Sequence, residues 1–97
     1  MIEKHASIRS LIARLELRER GWVTVDHWEA DRCAIGIARE GDRARLVYVS
    51  TFDRGDGRYF FACETAPTES DCVYRESAEG ECATYAELLE VLVRHLG

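Results

Sequence analysis

The spacing of apolar residues switches twice along this chain, from a repeat of about 3.6 to a repeat of 2 and back again, and that double switch leaves few folds open. From about Ser7 to Arg20, Ile8, Leu11, Ile12 and Leu15 fall at i, i+3, i+4 and i+7, and Gly21 stands where a left-handed C-terminal cap belongs. The segment reads as an amphipathic helix. Arg9, Arg14, Arg18 and Arg20 interleave with Glu16 and Glu19 as on a solvated helix face. Near the other end, Thr84-Tyr-Ala-Glu87 is a capping box in which each side chain can reach the other residue's backbone N–H. Tyr85, Leu88, Leu89, Leu92 and Leu96 follow as one stripe, with Glu87 and Glu90 early and Arg94 and His95 late, the order a helix dipole favours.

Between these helices the alternation is that of strands. Residues 22–28 (WVTVDHW), 33–39 (CAIGIAR), 44–52 (ARLVYVSTF), 58–65 (RYFFACET) and, more weakly, 72–76 (CVYRE) are rich in β-branched and aromatic side chains and are separated by turn signals. Links this short favour an antiparallel meander, because parallel neighbours need a crossover of roughly a dozen residues or more. The expected fold is therefore α+β and two-layered, α-β-β-β-β-(β)-α: a meander of four or five strands with the N-terminal and C-terminal helices packed on one face. Ninety-seven residues, 46% of them hydrophobic and 32% charged, are expected to make a single domain spanning 1–97.

Register turns the fold into a statement about surfaces. With Gly41-Asp42 as a two-residue hairpin loop, Ile37 pairs with Leu46, Ile35 with Tyr48 and Cys33 with Ser50 on one face, joined by Val23, Val25 and His27. This bulky face is the expected bed for the helices. The other face sets Trp22 and Trp28 across Ala38, Gly36 and Ala34, with Val47 and Val49 alongside. Large rings beside small residues can shield a glycine within a sheet. With two helices able to cover only one face, however, Trp22, Trp28, Val47 and Val49 are expected to form an exposed apolar patch used for association.

Charge points to a second surface. Residues 1–58 carry 11 basic and 10 acidic side chains, whereas residues 59–97 carry 2 basic and 8 acidic ones. The acids Glu64, Glu69, Asp71, Glu76, Glu79 and Glu81 thus fall in a region whose field repels phosphate backbones and attracts a basic partner. Direct nucleic-acid binding is not expected there.

No segment carries a reaction on its face. HExxH, a Walker loop, GxGxxG after a strand and GxSxG are all absent, and His5, His27 and His95 have no ligand spacing. No cofactor or metal site is expected. Cys33, Cys63, Cys72 and Cys82 form no C-x-x-C, and the first residues read as neither a signal peptide nor a membrane span. Reduced thiols in a cytoplasmic protein that does not engage a membrane are the expectation. His27 falls opposite Cys33 in this register, a contact that could activate a thiol. Asp53-Arg-Gly-Asp-Gly57 fits a hairpin turn and departs from the EF-hand loop.

The expected function is that of a small acidic, non-enzymatic protein-binding domain, in a concrete form an immunity- or antitoxin-like inhibitor of a basic protein. The alternative is a homodimer with a structural or small-ligand role, associating through the Trp22 and Trp28 sheet face. A thiol enzyme using Cys33 or Cys63 with His27 is the third reading.

Overall fold

The computed structural model describes residues 4–25, 31–54, 57–65 and 75–97, the side chains of residues 43, 44 and 75–77 excepted. Helix α1 (Ala6–Leu15) starts at His5, whose Nδ1 accepts the Ser7 N–H at 3.1 Å. It stops five residues before the expected end. Glu16 takes a left-handed conformation (φ 50°), and a separate turn, α2 (Leu17–Arg20), leads to Gly21 at φ 72°. The reason lies in the stripe: at about 100° per residue, a straight helix would point Leu17 directly away from Ile8, Leu11 and Leu15. The break lets Leu17 pack on the core beside them. Arg20 Nε donates to the Leu15 carbonyl at 2.7 Å, satisfying one of the acceptors that the interrupted helix leaves open.

Five strands follow: β1 (Trp22–Val25), β2 (Ala34–Arg39), β3 (Asp42–Ser50), β4 (Tyr59–Thr65) and β5 (Arg75–Cys82), then helix α3 (Tyr85–Leu96). They form one antiparallel sheet in the order β1-β2-β3-β4-β5, so the meander and the two terminal helices stand as expected. The fifth strand runs from Arg75 to Cys82, beyond the end expected at residue 76, and Glu79-Gly-Glu81 belongs to it; residues 72–74 of the expected strand lie outside the described residues. Thr84 Oγ1 accepts the Glu87 N–H at 3.2 Å, while Glu87 Oε1 accepts from Ala83, one residue before the expected donor, at 2.8 Å.

The register differs from the expected one by a residue on both sides of β2. The β2–β3 turn is Glu40-Gly41, with Gly41 at φ 85°, and Arg39 faces Asp42. Ala38 then faces Leu46, so residues 43, 44 and 45 are extra on β3 and the ladder beyond them has a new phase. Ile37 consequently meets Val47 and Ile35 meets Val49, while Thr24 meets Ile37 across β1. Since side chains alternate, both neighbours of β2 exchange faces relative to it.

The helix-covered face therefore holds Trp22, Ile35, Ile37, Val47, Val49, Cys63 and Cys82, packed against Ile8, Leu11 and Leu15 of α1 and Leu88, Leu92 and Leu96 of α3. Trp22, Val47 and Val49 are core residues, and Trp22 keeps only 3% of its surface. The exposed patch expected of them does not exist. On the opposite face Val25, Ala38 and Leu46 form a second buried cluster with Val23 and Tyr48. A sheet glycine is shielded by a ring after all, though at another place: Phe61 faces Gly80 across β4–β5, and a Cβ on Gly80 would come within 3.2 Å of its ring.

The Trp22 indole is buried under Arg20, whose guanidinium lies 5.5 Å from the ring centroid, and its Nε1–H has no hydrogen-bond partner. An orphan donor costs about 1–3 kcal/mol, and truncating a buried Trp to Ala typically costs about 3–5 kcal/mol. Trp22→Ala should therefore destabilise strongly in urea unfolding, and Trp22→Phe, which keeps an aromatic ring and removes the orphan donor, should lose less than half as much. An equal loss for both would contradict this account.

Candidate functional site

The best-defined surface feature is the outer face of β3 to β5 together with the turn leaving β3. Tyr48 and Phe60 stand half-buried on this face, edge to face with centroids 6.1 Å apart. Beside them, the ladder sets Phe60 opposite Glu81 and Ala62 opposite Glu79, and both carboxylate-bearing residues are exposed. Glu64 and Glu76 occupy facing positions one step further along.

The turn is tightly tied. Arg54 N–H donates to the Thr51 carbonyl at 3.1 Å, Asp53 adopts φ 56°, and the Phe52 N–H donates to Ser50 Oγ at 3.2 Å. Left-handed φ at a non-glycine residue costs of order 1 kcal/mol, which these bonds offset. The result is a fixed turn that leaves Phe52 67% exposed. Arg54 reaches back across the sheet to Glu81, Nε to Oε1 at 2.8 Å and Nη2 to Oε2 at 2.5 Å, and its Nη1 donates to the Phe52 carbonyl at 2.6 Å. The guanidinium also lies 5.4 Å from the Phe60 centroid. This bidentate bond holds the Glu81 carboxyl below its ordinary range and raises Arg54.

The expected acidic surface is thus partly satisfied from within. Glu81 pairs with Arg54, Glu87 caps α3, and Glu90 pairs with Arg94 at 2.8 Å. Glu79 is exposed; Glu64 is half-buried, and its carbonyl is hydrogen-bonded to His95 Nε2 at 3.2 Å. Glu76 lies on β5 with its side chain undescribed, and Trp28, Glu69 and Asp71 lie outside the described residues, as do His27 and Cys72. Phe52 and Arg54 were not singled out from sequence. The signal for Phe52 was available, because counting by two from Tyr48 through Ser50 places residue 52 on the same side.

A groove of about 790 Å³ opens at the same end of the molecule, between the start of α1 and the β3–β4 turn. Ser7 Oγ lies 2.8 Å from His5 Nδ1 and 2.7 Å from Thr51 Oγ1, and Cys33, Arg54 and Arg58 complete much of its lining. The Ser7 and Thr51 hydroxyls are engaged with each other, and Ser7 with the helix cap as well. Among the described residues no group of three or more His, Cys, Asp or Glu is placed to hold a metal, and no helix is long and apolar enough to cross a membrane.

The three described cysteines are free thiols. Burial raises Cys63, and burial followed by the nearby Glu87 and Glu81 pushes Cys82 up from an ordinary 9.0 to about 11. Nucleophilic activation needs the opposite direction. Comparisons of the chain with protein-family models, with curated proteins and with solved structures return no match.

The raised Cys82 thiol makes a prediction about alkaline stability. Its folded value exceeds its unfolded one, so its contribution is intact below about pH 9 and is lost as pH rises through about 11. Urea unfolding at pH 8 and pH 10.5 should show wild type losing more stability than Cys82→Ala over that interval. Parallel losses would remove Cys82 as a source.

Proposed function

We propose that this protein is a small protein-binding domain that engages a basic partner through the outer face of β4–β5 and the adjoining Phe52 turn. The observation that carries this reading is the pairing of exposed Glu79 and Glu81 with half-exposed Phe60 and Tyr48 on one face, next to a fixed turn presenting Phe52. Aromatic anchors supply affinity where they enter a pocket, and carboxylates around them select a partner of opposite charge and speed its encounter. A turn braced before binding loses little freedom on association. An immunity- or antitoxin-like inhibitor of a basic enzyme, such as a nuclease, is the concrete form of this proposal.

The test is charge reversal. At low ionic strength, immobilised wild-type protein should retain strongly basic proteins from a native extract. Glu76→Lys/Glu79→Lys/Glu81→Lys should retain them at least ~10-fold less, with the difference shrinking as salt screens the surface. Equal retention by a folded triple variant would refute the electrostatic basis of the proposal.

A further inference from the structure

We propose that Glu81, Phe60 and the Phe52 carbonyl form a guanidinium-binding cradle, filled by the protein's own Arg54 in the free state and taken by an arginine of the partner on binding. The inference rests on the protein-binding reading above and names the group that the partner would contribute. A guanidinium is recognised by a carboxylate lying along its N–H fork, an aromatic ring near its face and an acceptor for its remaining donors. All three converge here: the Glu81 oxygens at 2.8 and 2.5 Å, the Phe60 centroid at 5.4 Å and the Phe52 carbonyl at 2.6 Å. An ammonium has no planar fork with which to satisfy the same set.

Two features separate this arrangement from a simple staple. The turn has its own closures, Arg54 N–H to the Thr51 carbonyl and Phe52 N–H to Ser50 Oγ, neither of which uses the guanidinium. The receiving carboxylate is open to approach as well, because the Glu81 side chain is 63% exposed while that of Arg54 is 24% exposed. An incoming arginine can therefore reach Glu81 from solvent as Arg54 swings out. A tethered competitor acts at an effective concentration of about millimolar, so a free arginine well below that concentration displaces little of it. An arginine held in place by neighbouring contacts can displace it, and the half-buried Tyr48 ring, 6.1 Å from Phe60, stands beside the cradle to make one. Self-occupancy would then act as a filter, passing partners that combine an arginine with an apolar contact and rejecting those that offer positive charge alone.

Emptying the cradle tests this directly. Arg54→Ala should bind N-methylguanidinium in the millimolar range and at least ~10-fold more tightly than methylammonium, read from NMR shifts of the Glu81 carboxylate and the Phe60 ring. Wild type should respond more weakly at the same concentration, and adding Glu81→Gln should abolish the response. If the two cations bind alike, if the Phe60 ring does not shift, or if wild type responds as the variant does, the proposal is overturned. Arg54→Gln, which retains part of the stem, takes the place of Arg54→Ala should the latter unfold. Unfolding of both would show that the guanidinium is a structural staple and would also overturn the proposal. The probe is a small cation, so this result stands apart from the charge-reversal experiment, and each reading can fail without the other.

Discussion

Which side chains reach the core depends on the three residues that β3 carries between Asp42 and Leu46. An odd insertion in one strand of a ladder turns every later side chain to the other face. It brings Val47 and Val49 beneath the helices, where with Ile35 and Ile37 they form the floor on which α1 and α3 rest. It also turns Tyr48 outward, toward Phe60, and so creates the aromatic half of the candidate surface. Core and surface are two consequences of one local irregularity. The left-handed Gly41 just before it makes the tight turn available, because a residue with a Cβ would be strained at that φ.

Much of the architecture is legible in residue order alone. The stripe Leu88, Leu92 and Leu96, the Thr84 cap and the Gly21 stop all rest on contacts within a few residues, where spacing and chemistry suffice. The phase of β3 does not, because whether the strand carries an odd number of extra residues after its turn depends on what each register buries. The insertion on β3 transferred Val47 and Val49 from the expected patch into the core, and a separate one-residue change in the β1–β2 pairing transferred Trp22. The break at Glu16 was similarly hidden: a tertiary demand, the packing of a half-buried Leu17 on the core, overrode an otherwise continuous helical pattern. Of the candidate surface, the acids Glu79 and Glu81 were visible as charge, but the pairing of Glu81 with Arg54 joins residues 27 apart and follows only from the fold.

The acidic strand has a second physical role alongside the one proposed for it. Among the described residues β5 is an edge, and edges offer unpaired backbone groups to any strand that approaches. Glu79 and Glu81 set like charges against a second copy, and the register irregularity facing Cys63 and Glu64 bends the ladder away from regular pairing. Both devices disfavour edge-to-edge strand pairing, and the face proposed for a partner lies beside that edge.

The order of the strands bears on how the molecule comes together. Every strand pair joins neighbours in sequence, so the sheet can zip from local hairpins, the kind of contact that forms quickly. The core cannot, because it needs α1 and α3, from opposite ends of the chain, on the same face; Arg14 lies 3.9 Å from the centroid of the Tyr85 ring where they meet. As the chain emerges from the ribosome, Val47, Val49 and Cys63 can be in their ladder while half of their cover has yet to emerge. Until Tyr85–Leu96 has emerged, the nascent sheet carries an open apolar floor, and this is the interval in which a chaperone has most to protect.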